Sequence, residues 1–109
     1  MSRRKLIESV VRRLIVEAKT SGYVVKSIFD IGEIDKDENC TISQLVKLAT
    51  DFDFARIYFV KADALEDAKF AVLLVYENNP SEMICDYTDT PDARRICGDV
   101  ASHFEKLGH

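Results

Sequence analysis

The stretch KFAVLLVYENNPSEMICDYT, residues 69–88, decides the fold. Its first part, residues 69–77, is apolar at nearly every position and rich in β-branched and aromatic side chains, which favours a buried strand. The NNPS segment at 78–81 has strong turn chemistry, and residues 82–88 again have the composition of a strand. A link this short joins antiparallel neighbours. The stretch therefore predicts a hairpin, with 69–77 as the central strand of a sheet.

Two further strands are predicted on the N-terminal side of the hairpin. ARIYFVKA, residues 55–62, is separated from it by DALEDA, so the three strands form an antiparallel meander. YVVKSIFDI, residues 23–31, is rich in β-branched residues. Strict alternation along this strand places Val25, Ser27, Phe29 and Ile31 on one side of the sheet.

Three helices complete the pattern. Residues 3–20 carry one broad apolar stripe at helical spacing and end before Gly22. Residues 41–52 predict a short helix capped by Thr41 or Ser43, and residues 90–107 predict a longer helix capped by Thr90. The predicted fold is a single α+β domain over residues 1–109, in the order α-β-α-β-β-β-α, with an antiparallel sheet of about four strands and three helices.

Composition sets the broad class of the protein. A chain of 109 residues fits one domain, and no run of apolar residues is long enough to span a membrane. The N-terminus lacks the continuous apolar centre of a signal peptide. Three cysteines without paired spacing predict reduced thiols and a cytoplasmic location.

The charge is unevenly distributed along the chain. The net charge is −4, yet residues 1–26 hold seven Lys and Arg against two Glu. Such a basic N-terminal helix is one route to nucleic-acid binding. No aromatic residues interleave with these charges, and several basic residues lie four positions from a glutamate, so a helix with solvated charges is favoured over a nucleic-acid site.

An acidic segment has two alternative interpretations. Residues 35–46 begin like an EF-hand calcium loop, with Asp35, Asp37 and Asn39 at ligand positions. Cys40 replaces the turn glycine and Val46 replaces the bidentate glutamate, so we expect no calcium site and no other metal. The surrounding acidic patch, which consists of Asp30, Glu33, Asp35, Asp37 and Glu38, either attracts a basic partner or is a solvated loop.

Residues with catalytic chemistry are few. The two histidines are His103, one helical turn after Asp99, and His109 at the last position. Cys85 and Cys97 lie among apolar neighbours and are expected to pack as small core residues. No phosphate-binding glycine loop and no metal-spaced cysteine pair occurs. The sequence therefore predicts a protein that is not an enzyme and that uses no cofactor.

Two segments carry a family resemblance. IFDIGE, residues 28–33, precedes a short helix, and VLLVYENNPSEMICDYTD, residues 72–89, precedes the last helix. Together they resemble a group of small uncharacterised proteins carried on plasmids, phages and other mobile elements, whose members show a YDGEE-like stretch and a D-Y/H-T ending. Ile31 is an insertion relative to the first pattern. The resemblance spans residues 24–107 and implies a mobile-element accessory protein that acts by binding an unknown host protein.

The D-Y-T-D ending, Asp86, Tyr87, Thr88 and Asp89, is either a binding site or a strand–helix junction. Because Asp and Thr readily satisfy backbone donors at such a junction, the structural role is favoured. Three helices cover one face of a sheet well, and the strand at 69–77 is apolar on both faces. We therefore predict a non-catalytic protein-binding module that forms a homodimer through the uncovered sheet face or the first helix.

Overall fold

The structure, a computed structural model, describes residues 3–28, 32–33, 41–51, 53–61 and 69–106. Its helices are α1 (Arg3–Thr20), α2 (Ile42–Ala49) and α3 (Pro91–Lys106). Its strands are β1 (Tyr23–Ile28), β2 (Gly32–Glu33), β3 (Phe54–Lys61), β4 (Lys69–Val75) and β5 (Ile84–Tyr87). One 3-10 turn, Pro80–Glu82, stands between β4 and β5.

The predicted fold class is confirmed. Three helices and four longer antiparallel strands follow one another in the predicted order. The two-residue β2 adds a short edge strand, and the sheet order within the described residues is β2-β1-β3-β4-β5. β4 is therefore an interior strand, as its apolar composition indicates, but the middle position belongs to β3 because β1 pairs with the other side of β3.

The prediction of strict alternation along β1 is wrong. Val25 pairs with Phe59, but the next paired residue, Ser27, lies opposite Tyr58, so the register shifts between them. An irregularity of this kind inserts one residue and reverses the alternation beyond it. Ile28 consequently shares the buried face with Tyr23 and Val25. Phe29 and Ile31, which were assigned to that face, lie outside the described residues.

Local capping chemistry sets the ends of the helices. Thr41 Oγ1 accepts a hydrogen bond from the Gln44 amide, and the Gln44 side chain accepts one from the Thr41 amide, which completes a capping box on α2. Thr90 caps α3 by accepting from the Ala93 amide at 3.1 Å. Gly22 ends α1 with a φ of 90°, a left-handed conformation that glycine adopts without strain.

One hydrophobic core lies between the helices and one face of the sheet. α1 packs against β1 and lies between α2 and α3, which both contact it. The sheet contributes alternate residues of its two long strands, with Phe59 and Phe70 stacked at 4.9 Å between ring centres. Tyr76 is almost fully buried and donates from its hydroxyl to the Ala49 carbonyl at 2.6 Å, which joins the end of β4 to the end of α2.

Candidate functional site

The described helices leave the second face of the sheet uncovered. Along β3 and β4 the buried residues alternate with partly or fully exposed ones. The exposed positions form a continuous surface, here called the open face. It consists of Phe54, Arg56, Tyr58, Val60, Lys69, Ala71, Leu73, Val75 and Asp86.

Strand register arranges the open face in rows that cross the sheet. Leu73 of β4 lies between Arg56 of β3 and Asp86 of β5, so an apolar side chain separates two opposite charges. The neighbouring row places Ala71 beside Tyr58. A further row pairs Phe54, which is 44% exposed, with Val75. The open face is therefore apolar along its centre, with Arg56 and Asp86 on opposite sides of Leu73 and Lys69 at the end of β4.

Two depressions indent this surface. One, of about 310 Å³, is lined by Arg56, Tyr58, Leu73 and Asp86, among others. The second, of about 610 Å³, lies beyond Tyr58 towards Lys26 and Lys69. Both are open hollows, and neither gathers an acid, a base and a nucleophile. Their shape suits contact with another surface better than enclosure of a small reactant.

The strand–helix junction uses its polar groups to hold the backbone. An Asp86 carboxylate oxygen accepts from the amide of Tyr87 at 2.9 Å. Thr88 Oγ1 accepts from the Ala71 amide at 3.1 Å, and the Thr88 amide donates to the Ala71 carbonyl at 3.0 Å. Asp89 forms an exposed ion pair of 2.6 Å with Arg94 in the first turn of α3. These contacts extend β5 by one position and lead the chain into α3.

Much of the basic charge of α1 has partners within the fold. The Arg3 guanidinium donates to the carbonyls of Tyr76 and Asn78. Arg12 donates to Ser43 Oγ at 3.0 Å, and Arg13 pairs with Glu17 at 3.1 Å. These contacts anchor α1 to the end of β4 and to α2. They reduce the number of cations on α1 that could meet a phosphate backbone.

Most of the acidic patch belongs to the part of the chain that the structure does not describe. Asp30, Asp35, Asp37 and Glu38 lie outside the described residues, and Glu33 is in β2, where its backbone pairs with Ser27. The end of the calcium-like loop is described. Val46, at the position that an EF-hand gives to glutamate, is buried in α2 and has no oxygen to offer. Among the described residues, no group of His, Cys, Asp or Glu side chains could hold a metal ion.

The described titratable groups do not form an active catalytic pair. Burial raises the pKa of the Cys97 thiol to about 12, which disfavours the thiolate. Tyr23 donates to Asp92 at 2.8 Å, and burial, followed by this hydrogen bond, raises the pKa of Tyr23 to about 12. The His103 ring meets Phe104 edge-on at 5.0 Å. The expectation that Cys85 packs in the core is wrong: Cys85 is exposed, because it lies at the register irregularity between β4 and β5. His109 and Cys40 lie outside the described residues.

The pairing of Arg56 and Asp86 across Leu73 was missed from the sequence. Alternation along β3 places the side chains of Arg56 and Ile57 on opposite faces of the sheet. It does not identify the residues of β4 and β5 that share a row with Arg56. The register between β4 and β5 includes a shift between Leu73 and Leu74, and this shift sets the position of Asp86. Only the three-dimensional pairing reveals the row.

None of the described helices is long and apolar enough to cross a membrane. Comparison with protein-family models, with curated proteins and with solved structures finds no match to this chain.

Proposed function

We propose that this chain is a non-catalytic protein-binding module whose binding surface is the open face. The observation that carries the proposal is the row of apolar side chains along the exposed side of β3 and β4. Contiguous apolar surface that stays partly exposed costs free energy in water and is a feature of protein interfaces. An aromatic residue, Tyr58, and an arginine, Arg56, stand within it, and both residue types are enriched at binding hot spots.

The chemistry of the described residues supports a binding role over an enzymatic one. The thiol of Cys97 is 3% exposed and has a raised pKa, so it is a core residue and a poor nucleophile. The Tyr23–Asp92 hydrogen bond ties β1 to the start of α3, and Arg95 completes it by pairing with Asp92 at 3.3 Å. This cluster is fully paired and stabilises the fold.

The cellular setting of the proposal rests on the sequence. The chain has three cysteines, an odd number, and their spacing does not suggest disulfide pairs, which supports a cytoplasmic location. The short resemblance over residues 24–107 supports an accessory protein of a mobile genetic element that binds a host protein. Under this proposal binding through the open face does not require the acidic patch, so Asp35→Asn with Asp37→Asn is expected to leave that binding unchanged.

Nucleic-acid binding through α1 is the alternative function, and the contacts of α1 weigh against it. Arg12 and Arg13 are each engaged by a partner in the fold. Phosphate contacts require free cations and give a steep salt dependence. A gel-shift assay at physiological salt is expected to show no specific complex. A tight complex that is lost in the Arg12→Ala/Arg13→Ala variant would establish the alternative.

Site-specific photo-crosslinking tests the proposed surface directly. The probe is the photoreactive aromatic p-benzoylphenylalanine, substituted for Tyr58 on the open face. The matched control places it at Lys47, an exposed position on α2 at the opposite side of the molecule. Irradiation of bacterial cells that express the two variants is expected to give a discrete protein adduct at position 58 and none at position 47. Equal, diffuse labelling at both positions would contradict the proposal.

A further inference from the structure

We propose that the partner on the open face is a second copy of this chain, packed face to face about a two-fold axis parallel to β4. The inference rests on the proposed function, because it names the partner of the same surface. The structural basis is the row in which Leu73 separates Arg56 from Asp86. This row is complementary to itself under one particular symmetry operation.

The symmetry operation follows from the strand order. A two-fold axis that lies in the interface and runs along β4 reverses the order of the strands but keeps the position along them. β4 then faces β4, and β3 of one copy faces β5 of the other. Arg56 therefore meets Asp86 of the partner subunit, and Leu73 meets the partner's Leu73. Two such ion pairs form in each dimer, because a two-fold interface repeats every contact.

The dimensions allow these contacts. Packed sheets lie about 10 Å apart with their strands within about 30° of one another, so facing side chains interdigitate. An arginine and an aspartate that face each other across this gap can form a charge-assisted hydrogen bond. Arg56 makes no ion pair with any described residue of its own chain, and the Asp86 side chain is occupied only by the neighbouring Tyr87 amide. With respect to the described residues, both charges are available to a partner.

The next row supports the same pairing. It runs from Tyr58 through Ala71 to Thr88, which is hydrogen-bonded to Ala71. The axis places Tyr58 over Thr88 of the partner subunit, and the small Ala71 side chains meet on the axis. The depression of about 310 Å³ beside Ala71 provides room for the incoming aromatic ring. A large ring thus faces a small hydroxyl and a hollow, and it does not face a second large ring.

Size and charge set the expected strength. The contact involves β3, β4 and β5 of each copy. Neighbouring strands lie about 4.8 Å apart and are up to about 27 Å long, which gives a footprint of roughly 400 Å² on each copy. The two footprints sum to roughly 800 Å², which is below the range of standard specific interfaces, so a weak dimer that dissociates in the micromolar range is expected. Lys69, at the end of β4, meets its own symmetry mate and is expected to extend into water at the rim. The charge pairs are therefore the contacts that select this arrangement.

Charge exchange tests the arrangement. Sedimentation equilibrium over the micromolar range would be measured for the wild type, Arg56→Glu, Asp86→Arg and the double variant. The wild type is expected to move from 12.4 kDa towards twice that mass as its concentration rises. Each single variant places like charges opposite each other and is expected to weaken the dimer by about ten-fold or more. The double variant restores opposite charges and is expected to recover the dimer.

Exposed charges on the helical side provide matched controls. Lys47→Glu and Asp99→Arg make the same kinds of charge change on α2 and α3, away from the open face, and are expected to leave the dimer unchanged. Circular dichroism of every variant establishes that it is folded. A wild-type protein that stays near 12.4 kDa at several hundred micromolar would overturn the proposal. A dimer that ignores both single charge reversals would overturn it too, since its interface lies elsewhere.

The crosslinking adduct separates this inference from the proposed function. An adduct at position 58 with twice the mass of the chain supports both. An adduct with a different protein, together with a monomeric mass in solution, would retain the open face as a binding surface and reject the second copy as its occupant. The absence of any adduct at position 58 in a monomeric protein would reject both.

Discussion

The Tyr76→Phe substitution is expected to destabilise the fold through a single buried hydrogen bond. Tyr76 is 5% exposed, and its hydroxyl donates to the Ala49 carbonyl at 2.6 Å, at the point where α2 ends. Phenylalanine keeps the ring packing and removes only the donor, so the Ala49 carbonyl remains buried without another donor among the described residues. Leaving a buried acceptor unsatisfied costs about 1–3 kcal/mol.

This free energy is large enough to measure. A loss of about 2 kcal/mol in a domain of this size lowers Tm by roughly 8–12 °C. Urea unfolding followed by circular dichroism at low protein concentration, where the chain is monomeric, gives the change in the free energy of unfolding. The matched control is Tyr87→Phe, a half-buried tyrosine on the same side of the sheet whose hydroxyl has no hydrogen bond to another described residue.

The control is expected to change the free energy of unfolding by less than about 0.5 kcal/mol. The reasoning would be refuted if Tyr76→Phe cost no more than Tyr87→Phe. That result would mean that solvent or another donor reaches the Ala49 carbonyl, and that the contact between β4 and α2 contributes little to stability.

Three other perturbations have defined outcomes. Burial raises the pKa of the Cys97 thiol from 9.0 to about 12, so the free energy of unfolding is expected to be unaffected by this group below pH 9 and to fall as the pH rises towards 12. The expected loss is about 2 kcal/mol at about pH 10.5. Urea unfolding measures it, and the loss should be smaller in Cys97→Ala. Thr41→Ala is expected to cost about 1 kcal/mol because it removes the α2 cap, whereas Ser43→Ala should cost clearly less. The hydrogen bond from the Tyr23 hydroxyl is the main cause that lowers the pKa of the Asp92 carboxyl, and the hydrogen bond from Arg95 is the second. The ionised carboxylate therefore stabilises the fold, and this contribution is lost as the pH falls through the pKa of the folded state. Tyr23→Phe should raise that pKa in an NMR titration.

The parts of the fold that depend on local chemistry could be predicted from the sequence. The hairpin around the NNPS turn, the caps at Thr41 and Thr90, and the end of α1 at Gly22 are each set by a few neighbouring residues. The faces of β4 were also predictable, because alternation within one strand is local. The irregularity in β1 was not, because no local residue type marks it and it depends on pairing with β3.

The same distinction applies to the candidate site. The sequence predicts that Ala71, Leu73 and Val75 share a face, and the structure leaves that face uncovered by the described helices. It does not predict that Arg56 and Asp86 lie on either side of Leu73, because each belongs to a different strand. The placement of Asp86 also depends on a register shift near Leu74. Charge complementarity across a sheet is a property of the assembled strands.

The open face follows from the number of helices and the width of the sheet. α1 lies between α2 and α3, and three helices about 10 Å in diameter span about 30 Å, enough to cover one face of a five-stranded sheet about 24 Å wide. All three described helices therefore pack against one face of the sheet. An isolated sheet with a solvated second face would need polar residues there, as antiparallel sheets of this kind usually have. Tyr58, Leu73 and Val75 stand at these positions instead, and none of the described helices covers them. The proposed contact with another protein is a physical process that would bury this apolar surface.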